Sequence, residues 1–168
     1  PLLTKLKFGQ SIREEGPKWH QKKSGTPTMG GLSIICAVIF GTLAAFFLAK
    51  TFGTAEISLV AGALLFGIIG FADDYIKVVK KRNLGLTSKQ KFSAQLVAAV
   101  LITVYMSHTG VIGGEIVIPF LKRTVDIGLF AILLAVFVQL AVVNSVNLTD
   151  GLDGLASSVT LIVSLFFT

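Results

Sequence analysis

Five stretches of the chain are apolar and free of Lys, Arg, Asp and Glu: 31–49, 57–72, 92–107, 127–143 and 155–168. Polar, glycine-bearing segments separate them. Continuous apolar runs of this kind predict bilayer-crossing helices, for which about 20 residues are needed. The first run meets that length alone. The second and third need flanking residues, including the polar groups at their ends. Spans are therefore expected near 31–50, 55–77, 91–107, 126–144 and 154–168, in a single transmembrane domain over 1–168, with loops 1–30, 78–90 and 145–153 on one side. The fifth run stops after 14 residues at Thr168, which reads as a span cut short. The chain opens without Met or a signal-peptide pattern, so residues before Pro1 are expected as well. In the link 108–126, the segment Val111-Ile112-Gly113-Gly114-Glu115-Ile116-Val117-Ile118 sets a Gly-Gly pair between β-branched residues. That pair predicts a short outer β-hairpin. The expected class is an all-α polytopic integral membrane protein.

Composition narrows this further. Of 168 residues, 53% are hydrophobic and 14% charged, where a soluble domain carries about 25% charged. A soluble globule and a disordered chain are both excluded. The single cysteine, Cys36, excludes an internal disulfide framework. The net charge of +6 is read as loops beside anionic lipid or phosphate rather than as a nucleic-acid surface. Six of the 15 Lys and Arg lie in 1–30 and six in 77–91. Short cytoplasmic loops carry such an excess, so both segments are expected inside. Span parity then places the polar segment 144–154 inside with them.

These three segments carry the candidate chemistry. In Lys22-Lys23-Ser24-Gly25-Thr26-Pro27-Thr28-Met29-Gly30-Gly31, glycines allow close backbone approach and the lysines supply charge for an anion. A basic turn capping the first span would use the same residues. Asp73-Asp74-Tyr75-Ile76-Lys77 follows an apolar run directly. If the helix continues, Lys77 is the i+4 neighbour of Asp73 and the i+3 neighbour of Asp74. Carboxylates at the edge of a span are costly and suggest function, and two in succession suit a divalent cation with oxygen ligands. Acids paired simply with Lys77 and Lys80 are the structural alternative. In Asn144-Ser145-Val146-Asn147-Leu148-Thr149-Asp150-Gly151-Leu152-Asp153-Gly154, the density of Asn and Asp exceeds what a turn requires. The spacing is not that of an EF-hand.

Taken in order, Lys-Ser-Gly-Thr-Pro-Thr-Met-Gly-Gly, Asp-Asp-Tyr-Ile-Lys and Asn-Ser-Val-Asn-Leu-Thr-Asp-Gly-Leu-Asp-Gly resemble the phospho-N-acetylmuramoyl-pentapeptide transferase family. That family sits within the wider polyprenyl-phosphate N-acetylhexosamine-1-phosphate transferases. The resemblance implies a ten-helix fold, of which this chain would supply the second helix to the start of the sixth. It implies transfer of phospho-MurNAc-pentapeptide from UDP-MurNAc-pentapeptide to undecaprenyl phosphate with Mg²⁺, giving lipid I and UMP. It further implies a homodimer in the bacterial inner membrane, with the active site facing the cytoplasm. By the same resemblance Asp73 and Asp74 are the catalytic pair and touch the metal. Lys77 and Lys89 face phosphate, and Asn144 lies near the metal. Lys23, Gly151, Leu152 and Asp153 bind uridine, with Thr28, Asn147 and Asp150 beside them. The family's third Asp, its main Mg²⁺ ligand, and its His-rich loop have no match in this chain. On that footing residues 1–168 alone are expected to be inactive. Two alternatives stand: a sister transferase using UDP-GlcNAc, and a non-enzymatic transporter fragment, which would hold its carboxylates near mid-bilayer.

Overall fold

A computed structural model describes residues 31–50, 53–80, 84–118, 121–150 and 154–166. Five helices and one hairpin follow in order: α1 Gly31–Ala49, α2 Thr54–Val79, α3 Ser88–His108, β1 Glu115–Ile118, β2 Arg123–Asp126, α4 Phe130–Thr149 and α5 Leu155–Phe166. Three of them, α1, α2 and α4, are long and apolar enough to cross a membrane. The first turn of α3 carries Ser88, Lys89, Gln90 and Lys91, and α5 has only 12 described residues. The fold is that of an all-α polytopic membrane protein with one small sheet. It divides into two compact units, Pro1–Val111 and Ile112–Thr168.

In the first unit α2 packs against both α1 and α3. Gly67 lets α1 come close, because a Cβ there would run into Ile35 Cδ1 and meet its Cγ1 at 3.3 Å. The buried residues of α2 are Ser58 and Asp73, about four turns apart and therefore on nearly one face. Those of α3 are Gln95, Ala98, Ala99, Ile102 and Thr103, again a single helical stripe. Hydroxyl groups on α1 and α2 bond to their own backbone, as hydrocarbon demands. Ser58 Oγ donates to Thr54 O at 2.6 Å and Thr42 Oγ1 to Val38 O at 2.8 Å. Large side chains such as Phe40, Phe47 and Leu48 stay exposed on α1, as suits a helix whose surroundings are apolar.

The length of α2 places the charges. Its 26 residues span about 39 Å at 1.5 Å per residue, more than the ~30 Å hydrocarbon core. Its charge-free stretch runs between Glu56 and Asp73, about 26 Å along the axis. The acids thus mark the ends of an apolar rod, whereas a transporter's carboxylates would sit near its middle.

In the second unit β1 and β2 are antiparallel, with Glu115 opposite Asp126 and Ile118 opposite Arg123. The expected hairpin is present, but Gly113-Gly114 is not its turn. The turn falls between Ile118 and Arg123, where Lys122 takes φ 46°. Gly114 instead closes the open end: its carbonyl accepts from Ile127 N at 2.8 Å. A Cβ on Gly114 would stand 2.7 Å from Asp126 Oδ1. The glycine is needed for close approach, and its neighbours mimic a turn signal.

Gly67→Leu should lower the thermal midpoint in detergent by crowding Ile35, at the cost of about 1–3 kcal/mol typical of overpacking. An unchanged midpoint would mean that α1 and α2 do not meet at this glycine.

Candidate functional site

Helix α2 continues without interruption through Asp73, Asp74 and Lys77, so both i,i+3 and i,i+4 pairings form. Lys77 Nζ lies 2.7 Å from Asp73 Oδ2 and 3.0 Å from Asp74 Oδ1. One ammonium therefore bridges the two carboxylates, although adjacent side chains diverge by about 100° on a helix. Their surroundings differ. The Asp73 side chain is 8% exposed and that of Asp74 36%.

A buried carboxylate needs partners for both oxygens. Asp73 draws them from beyond its own helix. Lys91 Nζ, from the first turns of α3, stands 3.5 Å from Oδ2. Oδ1 accepts from the backbone N–H of Leu86 at 2.8 Å. Close approach of the loop depends on Gly85. A Cβ there would collide with Asp73 Oδ1 and lie 2.6 Å from its backbone O and 2.8 Å from its Cγ. Immediately after Leu86, Thr87 caps α3. Gln90 N donates to Thr87 Oγ1 at 3.3 Å, and Thr87 N donates to Gln90 Oε1 at 3.1 Å. This capping box fixes where α3 begins, and with it the position of the Leu86 amide.

The structure thus brings together Asp73, Asp74 and Lys77 as anticipated, and adds Lys91, Leu86 and Gly85. Lys89 lies on the first turn of α3 and is exposed, while the lysine of that turn that reaches Asp73, beside Lys77, is Lys91. A legible signal was present in Thr-x-x-Gln, which sets the helix start. From there Lys91, Gln95, Ala98 and Ile102 follow at helical spacing on the buried side.

The polar segment 144–154 is not wholly a loop. Helix α4 runs on to Thr149, so Asn144 and Asn147 are helical residues three apart, on one edge. Polar side chains permit this by bonding back along the helix: Asn144 Nδ2 donates to Leu140 O at 2.8 Å and Thr149 Oγ1 to Ser145 O at 2.7 Å. Asp150 follows as the C-cap residue, its N–H donating to Val146 O at 3.1 Å. An acid at a helix C-terminus opposes the dipole and gains nothing structurally from that place. Lys23, Thr28, Gly151, Leu152 and Asp153 lie outside the described residues.

The donor set is one Mg²⁺ accepts: hard carboxylate oxygens, of which the ion commonly takes one or two from protein. Among the described residues no three His, Cys, Asp or Glu side chains gather into a larger cluster.

A family model described as glycosyl transferase family 4 matches residues 56–168. A second pattern, phospho-N-acetylmuramoyl-pentapeptide-transferase signature 1, matches residues 23–35. Among curated relatives, a phospho-N-acetylmuramoyl-pentapeptide-transferase of Thermoanaerobacter sp. (strain X514) is 50% identical over 168 residues, all of this chain and 51% of the relative. Proteins of the same name from Halalkalibacterium halodurans and Listeria monocytogenes serovar 1/2a are 50% identical over 157 residues and 49% over 162. These alignments take in 94% and 96% of this chain, and 48% and 50% of the relatives. The chain spans about half the length of the curated relatives it matches.

Lys77→Met removes the ammonium shared by two carboxylates and should destabilise the protein by about 1–3 kcal/mol, between the values for exposed and buried pairs. Lys89→Met, at an exposed position, should shift the unfolding midpoint far less. Thermal unfolding of both variants in one detergent decides it, and equal shifts would contradict this geometry.

Proposed function

The chain belongs to glycosyl transferase family 4, and from that premise we propose that the protein transfers phospho-MurNAc-pentapeptide from UDP-MurNAc-pentapeptide to undecaprenyl phosphate. In the net reaction a lipid-phosphate oxygen bonds to the sugar-bearing phosphorus and the pyrophosphate bridge breaks. The products are lipid I and UMP. The observation that carries this reading is the half-identity, over nearly the whole chain, to several relatives bearing one and the same name. The cluster around Asp73 supports it chemically.

Phosphoryl transfer between two anionic substrates asks mainly for alignment and charge neutralisation. Lys77 and Lys91 bring two ammonium groups to one buried carboxylate, which keeps them ordered and close. In the proposed mechanism they meet phosphate oxygens, with Lys89 of the same α3 turn facing phosphate beside them, and Asp73 orients the attacking lipid phosphate or accepts its proton. Asp74, the more exposed acid, is the better placed of the two to hold Mg²⁺, with Asp73 beside it and Asn144 assigned nearby. When bound, Mg²⁺ would neutralise charge on the pyrophosphate. Its main protein ligand is proposed to come from outside residues 1–168. Lys23, Thr28, Asn147, Asp150, Gly151, Leu152 and Asp153 are assigned to the uridine end of the donor. Apolar helices suit the polyprenyl chain. We place the protein in the bacterial inner membrane as a homodimer, with loops 1–30, 78–90 and 145–153 facing the cytoplasm, as the basic bias supports.

The test is UMP release by the intact protein with undecaprenyl phosphate, Mg²⁺ and either UDP-MurNAc-pentapeptide or UDP-GlcNAc. Release with the first donor alone is expected, and release with UDP-GlcNAc alone would assign the sister reaction. Asp73→Asn should cut kcat by about 100-fold or more while changing donor KM little. Asp153→Ala should raise donor KM. Near-full turnover by Asp73→Asn would remove Asp73 from the reaction.

A further inference from the structure

We infer that Gly85 is a positioning residue that acts through Asp73: its missing side chain lets the loop after α2 close onto the carboxylate and fix its rotamer. The inference rests on the reading of the Asp73 cluster as the phosphate-handling site. Gly85 is not among the described glycines with positive φ, which are Gly110, Gly128 and Gly154. The demand at position 85 is therefore for space rather than for a left-handed backbone. Two of the atoms that a Cβ would crowd belong to the Asp73 carboxyl group, and the third is that residue's backbone oxygen, held within a helix. None of them is the yielding tip of a long side chain. Only with the loop this close does the Leu86 N–H reach Oδ1 at 2.8 Å. Oδ2 is then turned toward Lys77 and Lys91.

An added methyl would push the loop outward, lengthen the Leu86 bond and free the carboxyl to rotate. The two ammonium groups would follow it. Neither helix need break, because α3 is capped independently by Thr87 and Gln90. The consequence falls on the alignment of charge rather than on assembly of the fold. Misplacement of a catalytic group by about 1 Å can cost about 100-fold in rate.

The experiment is a double-mutant cycle in the intact protein: unsubstituted, Gly85→Ala, Asp73→Asn and the double variant. It is read by UMP release from UDP-MurNAc-pentapeptide and, separately, by thermal unfolding. Gly85→Ala should lower kcat by about 10–100-fold and leave donor KM within about twofold. In the Asp73→Asn background it should cost less than about twofold, since sites acting as a unit are not additive. Unchanged kcat in Gly85→Ala, or the same fold-loss in both backgrounds, would overturn the inference. Should the unsubstituted protein release no UMP, the transfer reading falls. An unfolding cycle of Gly85→Ala with Asp73→Ala, which removes the crowded carboxyl group, then still judges Gly85, with non-additive midpoints supporting the contact to Asp73 and additive ones refuting it.

Discussion

A carboxylate at the edge of an apolar rod cannot be left without partners. Asp73 is nearly buried, and removing an ionised acid from water without compensation costs far more than any single packing contact returns. The compensation comes from three directions: Lys77 one turn along the same helix, Lys91 from the next helix, and the Leu86 amide from the loop between. Each partner constrains a different piece of chain. Together they tie the end of α2, the loop and the start of α3 to a single carboxyl group.

The same arrangement accounts for the difference between two adjacent acids. Asp73 is committed on both oxygens, whereas Asp74 shares Lys77 and is more exposed. Two like charges side by side would repel, and the shared ammonium offsets that repulsion. The result is a compact group of two negative and two positive side chains at one end of a helix whose other end carries Glu56. In the proposed reaction such a group would exchange its internal ion pairs for phosphate and a divalent cation with little net change in charge, as the transfer between two anionic substrates would require.

Much of this was legible in the sequence, and the parts that were not share a cause. The five apolar runs announced the five helices, because period and length are local properties. Asp73, Asp74 and Lys77 were legible because i,i+3 and i,i+4 neighbours meet on any helix. Lys91 is not legible in the same way, because its contact with Asp73 spans 18 residues and depends on where α3 starts. Only the pairing of Thr87 with Gln90 encodes that start. Gly85 carries its meaning in what approaches it, which no local pattern reveals. Gly113-Gly114 misled for the converse reason: a pair that looks like a turn serves close approach to Asp126. The polar residues 144–149 look like a loop by composition, yet Asn144 and Thr149 satisfy themselves along the helix and let α4 continue. The family itself was legible from three short strings, since they are dense in residues that a structural turn does not need.

The dependence of the site on Asp73 is tested most directly by hydrogen exchange at one amide. The Leu86 N–H lies in a loop outside any helix or strand, and the Asp73 carboxylate is the acceptor that protects it. In the intact protein in detergent this amide should exchange slowly, in step with the first turns of α3, and Asp73→Ala should release it to the rate of an open loop. Fast exchange in the unsubstituted protein, or slow exchange that survives Asp73→Ala, would contradict the account.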